Sequence, residues 1–345
     1  MVVELLFSAR DLAQMRFAVS PMWEVGPSFR LLTSAAVHPV HRRWVEQVRP
    51  RVTAAGLDRG WLAELIPPSG YVPDFLNPTP SGPMATLAAE LDSIAAAPTD
   101  RVRDDLDRLG LQQGGLGLRA RTLYARPDAR LARVVEEIRT YWDLALAPYW
   151  ARIRAVLDAD VSHRARQVAE RGATHLLNDL HTSVRWDDET LRLLRRPKDL
   201  NRKTAGQGLL LIPSVFTGPE PFTRVTPPDP PQLAYPARGI GALWESRPIT
   251  GTGALAAVLG RSRTLLLTEL ESPASTTELA GRTGLSPAGV SQNLTALRDA
   301  GLVSAHRAGR SVLYARTPVA ESLLGAVHNS PPPNSHPQSG LCCDR

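Results

Sequence analysis

The side chains of this 345-residue chain with the most specific chemical signature lie in one run, from Ser286-Pro287-Ala288-Gly289 through Val290-Ser291-Gln292-Asn293 to Leu294-Thr295. Gln292 carries an amide able to pair in bidentate fashion with adenine. Ser286, together with the free N–H groups of a helix start, is suited to hold a phosphate oxygen. Farther on, Arg307-Ala308-Gly309-Arg310 sets two guanidinium groups about a glycine, where they can reach phosphates or an adjacent minor groove. The chemistry offered is hydrogen bonding and charge neutralisation on a nucleic acid.

The elements that must position these groups are legible around them. Val290, Leu294 and Leu297 follow i, i+4, i+7 spacing and face inward, which turns Ala288, Gln292 and Thr295 outward, flanked by Ser291. These small residues allow a helix to seat deeply in a groove. Ser286 is its N-cap and Pro287 its first helical residue. Upstream, Thr283-Gly284-Leu285 forms a tight turn, with Gly284 supplying the left-handed conformation and Leu285 plugging the core. The preceding helix is capped by Thr276 or Thr277, while Ser275-x-x-Glu278 also reads as a capping box; its inner face is Leu279 and Ala280. Ala254–Leu259 and Arg261–Leu270 are expected as two earlier helices, and Leu302–His306 with Ser311–Ala315 as a hairpin. This order is that of a winged helix-turn-helix. The candidate DNA-contacting set is Thr276, Ser286, Ala288, Gly289, Ser291, Gln292, Asn293, Thr295, Arg298, Arg307 and Arg310.

The segment GLSPAGVSQNLTALRDAGLVSAHRAGRSVLYART resembles the recognition helix and wing of ArsR-type bacterial regulators. The match falls on Leu285, Ser286, Val290, Ser291, Leu294, Leu297, Ala300, Gly301, Leu302, Val303, Arg307, Gly309, Arg310, Val312 and Tyr314; Asn293 stands where a histidine is usual. The resemblance covers about the last quarter of the chain. It implies a homodimer on a two-fold symmetric operator near a promoter, usually acting as a repressor. One departure bears on sensing. Metal-responsive members carry a Cys-x-Cys type motif on the helix before the turn, whereas this chain has Glu278-Leu279-Ala280-Gly281. Thiolate metal sensing at that position is excluded. Gly70–Leu76 and Gly208–Ser214 resemble the long uncharacterised domain placed ahead of such modules in actinobacterial regulators.

Composition sets the remaining bounds. The length suits two domains, and an apolar fraction of 43% permits a sizeable core. A net charge of +6 fits a polyanionic partner, although the basic residues are nearly all Arg, with Lys198 and Lys203 the exceptions. Cys342 and Cys343 are adjacent and cannot staple a fold. A reducing, cytoplasmic setting is expected: Glu4 interrupts the first apolar run, which lacks a positive leader, and no run is long enough to span a membrane. No cofactor or metal is expected; His38, His41, His163, His175 and His181 lack acidic or Cys partners at ligand spacing. Gly114-Gly115-Leu116-Gly117 follows no strand and fails the dinucleotide test.

The expected architecture is α+β and mainly helical: residues 1–243 as a helical sensor or dimerisation domain with a small sheet, 244–328 as the winged helix-turn-helix, and 329–345 as a disordered tail. Within the first part, Val2–Phe7 reads as a strand and Ser8 as the cap of a helix reaching Val19 and ended by Pro21. Phe29–Leu32 reads as a helix start. Further helices are expected over 41–52, 84–96, 101–109 and 129–158, the last broken at Pro148, and over 161–180. Thr182–Trp186, Asp187-Asp188 and Thr190–Leu194 read as a hairpin, Gly208–Phe216 as a buried strand, Pro219–Pro231 as a loop, and Gln232–Tyr235 as an edge strand. Two function classes follow: a DNA-binding regulator whose first domain dimerises, binds a small-molecule effector or both, and an enzyme with a regulatory DNA-binding tail. No nucleophile–base spacing, phosphate loop or metal set supports the second.

Overall fold

The first part of the chain builds two four-stranded sheets. The computed structural model describes residues 2–6, 9–34, 39–187, 190–194, 202–203, 207–244, 252–309 and 311–328. The chain divides into two compact units, one of Met1–Glu245 with His306–Leu313 and the other of Ser246–Ala305 with Tyr314–Arg345. In the first unit Val2–Leu6 (β1), Val184–Asp187 (β3), Thr190–Leu194 (β4) and Arg202–Lys203 (β5) form a sheet in the order β3-β4-β1-β5. The second sheet has the order β2-β6-β8-β7, from Arg16–Phe17 (β2), Leu210–Ser214 (β6), Phe222–Arg224 (β7) and Gln232–Pro236 (β8). Here β6 lies parallel to both β2 and β8 and is buried along its whole length, as its unbroken apolar run requires.

Helices make up most of the rest: Ala9–Ala13 (α1), Met22–Thr33 (α2), Arg42–Ala54 (α3), Trp61–Leu65 (α4), Leu87–Ala95 (α5), Thr99–Gln113 (α6), Leu118–Ala125 (α7), Pro127–Ala145 (α8), Trp150–Arg171 (α9) and Ala173–Leu180 (α10). Their apolar faces meet in one large core that includes Phe29, Trp44, Leu62, Ile94, Leu106, Ile138 and Tyr141. A second core sets Leu176, Leu177 and Leu180 of α10 against Val184, Leu191, Leu211 and Leu233 of the two sheets. The Pro/Gly segment 67–83 is ordered, with Phe75 and Leu76 buried in the large core and a 3-10 turn at Asp74–Leu76.

Several expectations need correction. Helix α1 stops at Ala13, because Arg16 and Ala18 donate their N–H groups to Leu209 and Leu211 and so join the sheet. Pro21 opens α2 instead of closing a helix, and Phe29–Leu32 lie in its last turns. Gly172 divides the expected helix 161–180: α9 runs on through Arg171 before it, and α10 follows. Gln232–Tyr235 is an interior strand paired on both sides, since the proline-rich segment contributes β7 beside it. Helix α7 follows Gly117 directly and has little amphipathic pattern to betray it. Ser8, His38, Asp188, Lys198 and the segment 329–345 with its cysteines lie outside the described residues.

Three helix starts in this unit, and the end of β6, are met by carboxylates from distant elements. Glu137 of α8 accepts from Leu62 N–H at the start of α4 (2.7 Å), and Glu64 of α4 accepts from Ala120 N–H at the start of α7 (2.9 Å). A Cβ at Gly117 would meet the Glu64 carboxylate, so a larger residue there would displace this cap. Glu90 of α5 accepts from Met22 N–H at 2.9 Å and from the Ser20 hydroxyl. Glu24 accepts from Val215 and Phe216 N–H and from Ser214 Oγ, at 3.0–3.2 Å. Burial pushes Glu24 up to about 8 and Glu90 up to about 7, against hydrogen bonds that favour their charged forms.

These two groups give the unit an unusual pH response. In the folded chain they keep their protons where the unfolded chain has lost them. Their stabilising effect is complete below the ordinary glutamate value near 4.5 and fades as pH rises towards 7 for Glu90 and 8 for Glu24. Urea unfolding of the first unit should therefore show stability falling between about pH 5 and pH 9, by up to about 1.4 kcal/mol per pH unit per group. Glu24→Gln should flatten that slope; an unchanged slope in the variant would refute the assignment to Glu24.

Candidate nucleic-acid interface

The carboxy-terminal module comprises Thr252–Leu259 (α11), Arg261–Glu269 (α12), Thr276–Thr283 (α13), Pro287–Asp299 (α14), the hairpin Val303–Ala308 (β9) and Ser311–Arg316 (β10), and Pro318–His328 (α15). Its core joins Leu266, Leu267 and Leu270 of α12, Leu279 of α13, and Val290, Leu294 and Leu297 of α14 to Leu302, Val303 and Ala320. No side chain among the three α14 residues is more than 1% exposed, so the rotation of α14 is fixed by packing.

Capping fixes where each helix begins. Ser275, not Thr276 or Thr277, caps α13: Ser275 Oγ accepts from Glu278 N–H at 3.3 Å, and Glu278 Oε2 accepts from Ser275 N–H at 2.7 Å. Gly284 closes the helix in the left-handed conformation (φ 71°), with its N–H on Ala280 O. Thr283 supports the turn, donating from Oγ1 to Leu279 O (2.6 Å) and accepting from Leu285 N–H. Leu285 is half-buried against the core. Ser286 then caps α14 through Gly289 N–H at 3.1 Å, with Pro287 in the first turn. The start of α14 is thereby narrowed as an anion site. Pro287 has no N–H, and Gly289 and Val290 donate to Ser286, which leaves Ala288 N–H and the Ser286 hydroxyl proton.

The outward face of α14 is exposed at Ala288, Ser291, Gln292, Thr295 and Arg298, whereas Gly289 and Asn293 are half-buried. The side chains differ in what they still offer. Asn293 Nδ2 donates to Gly289 O at 2.8 Å, so its amide is turned back on its own helix. Thr295 Oγ1 donates to Ser291 O at 3.0 Å, which turns its hydroxyl proton away from solvent. Arg298 lies 3.5 Å from Asp299 in an exposed pair of little energetic weight. Thr276 is half-buried in the first turn of α13. In the hairpin, Arg307 is exposed near the end of β9, and Gly309 makes the turn with φ 60°. Arg310 lies outside the described residues. Arg316 was not anticipated: it is buried at the end of β10 and donates to Leu267 O and Thr268 O, both at 2.7 Å.

Helix, turn, recognition-type helix and two-stranded wing together define a winged helix-turn-helix. Residues 264–305, from α12 into β9, match the family described as the bacterial regulatory proteins of the arsR family. The second unit thus carries an ArsR-family helix-turn-helix domain behind a long amino-terminal unit. Over 79 residues the chain is 40% identical to the HTH-type transcriptional regulator NmtR of Mycobacterium tuberculosis. That alignment takes in 22% of this chain and spans 66% of the length of NmtR. No solved structure matches.

Glu278 spends its carboxylate on the capping box and Leu279 is core. Among the described residues, no group of three His, Cys, Asp or Glu side chains is placed to hold a metal ion. No described helix is long and apolar enough to cross a membrane.

The caps make a direct prediction. Ser286→Ala should destabilise the second unit by about 1 kcal/mol by freeing Gly289 N–H. Thermal unfolding checks it, and an unchanged melting temperature would mean that another group caps α14.

Proposed function

We propose that the protein is a DNA-binding transcriptional regulator, acting as a repressor, that sets α14 in the major groove of a two-fold symmetric operator. The observation that carries this reading is the face of α14. Its three large apolar residues are locked into the core, and what remains outside is small, polar and free of acidic charge between Ala288 and Thr295. Gln292 presents its amide to adenine N6 and N7; Ala288 and the methyl of Thr295 suit the thymine methyl; Ser291 contacts either kind of base edge. Thr276, Ser286 and the Ala288 N–H face phosphates, as do Arg298 and Arg307; Arg310, next to the wing turn in the sequence, is assigned the same role. Gly289 and Asn293 complete the helix surface that approaches the groove.

A two-fold operator calls for two copies of the chain. Helices α11 and α15 pack together and leave Val258 and Val319 81% and 62% exposed, an apolar surface suited to a second copy. With no thiolate on α13, the signal is assigned to the first unit, as a small-molecule effector or through dimerisation. The chain functions within the cytoplasm, where its operator lies.

The test is a gel shift or anisotropy titration on the DNA upstream of its own coding sequence. Gln292→Ala should relax discrimination at one base pair, by about 1–3 kcal/mol. Arg307→Ala should weaken binding to all sequences and reduce the slope of log affinity against log salt by about one. Equal affinity of both variants and the parent would sink the interface assignment.

A further inference from the structure

Arg316 is the least expected group in the second unit. It ends β10 and is 8% exposed, although nothing in the hydrophobic pattern asks for a cation there. Its three guanidinium nitrogens are all directed at partners. Nε donates to Leu267 O and Nη2 to Thr268 O, each at 2.7 Å, while Nη1 lies 3.5 Å from Glu321 Oε2. Leu267 and Thr268 belong to the last turn of α12, where carbonyls have no helical donor and the helix dipole favours positive charge. Glu321 stands in the first turn of α15. One side chain therefore joins the end of the wing, the end of α12 and the beginning of α15.

A planar fork is needed for this. Two adjacent carbonyls and a carboxylate are met from one rigid group, which the single ammonium of lysine cannot do. The rest of the wing base is fastened by weaker, neutral bonds: Tyr314 exchanges N–H···O bonds with Ala274 (2.9 and 3.1 Å), and Thr317 bonds Leu302 O and Gly301 O. Ala274 directly precedes the capping box of α13, and α12 packs on both α13 and α14. The frame to which Arg316 ties the wing is thus the same one that sets the rotation of α14.

We propose that Arg316 is a positioning residue for DNA contact: it holds the wing at the angle from which Arg307 meets a phosphate while α14 lies in the groove. The assignment rests on the DNA-binding reading above. It predicts energetic coupling between two arginines that have different jobs, one buried and one exposed.

A double-mutant cycle on the full-length chain tests it, with operator affinity measured across a salt series and folding followed by circular dichroism. Arg316→Gln should weaken binding and reduce the salt slope by about one, while the preference of Gln292 for its own base pair stays at the parent value. Arg307→Ala added to Arg316→Gln should then change neither affinity nor slope. A merely structural role would lower affinity with the salt slope unchanged and leave the effect of Arg307→Ala at full size, which would overturn the assignment. Should Arg316→Gln fail to fold, Glu321→Gln loosens only the outermost partner and should show the same coupling in smaller measure; additivity there would equally overturn it. If Arg307→Ala has no effect in the parent chain, it is the DNA reading of the wing that falls, and the positioning role goes with it.

Discussion

Burial of Val290, Leu294 and Leu297 against α12 and α13 is the constraint on which the interface depends. A helix with an apolar stripe this complete has one orientation, because rotating it by one residue would bring a leucine into water at a cost of about 1.5–3 kcal/mol. Everything offered to a ligand follows from that choice. The outward side chains have no say in their own direction; they occupy the arc the core leaves over. The caps at Ser275 and Ser286 complete the constraint by fixing where α13 and α14 start, so that the turn at Gly284 holds two rigid helices at a set crossing.

Hydrogen bonding then sorts that arc into active and spent groups. Gln292 keeps its whole amide, whereas Asn293 and Thr295 return donors to their own helix. Thr295 accordingly presents a methyl more than a hydroxyl. A helical wheel treats these side chains as equivalent, and only the rotamers separate them.

The second unit was largely legible in the sequence because its signals are local. A capping box, a glycine turn, a serine–proline start and an i, i+4, i+7 stripe each lie within one or two helical turns. Arg316 was not legible, since its role depends on carbonyls nearly fifty residues earlier (|i−j| 49 and 48). The first unit shows the same limit on a larger scale. Its buried strand β6 declares itself by composition, but β7 hides in a proline-rich stretch and takes its place only because β8 offers an antiparallel partner. Gly172 could be noticed as a glycine; that it ends a helix already twenty-two residues long depends on α9 running unbroken from Trp150.

The borrowed caps of the first unit also bear on the order in which it can assemble. The donor of Leu62 finds its acceptor in Glu137, 75 residues later, and Glu64 in turn caps a helix that lies between them in the chain. Helix α4 is therefore incomplete until α8 has been made and docked, and α2 waits in the same way for Glu90. A chain emerging from a ribosome passes through lengths at which these starts carry bare N–H groups and their apolar faces lack a partner. Two of its early helix starts are thus completed by carboxylates that come later in the chain.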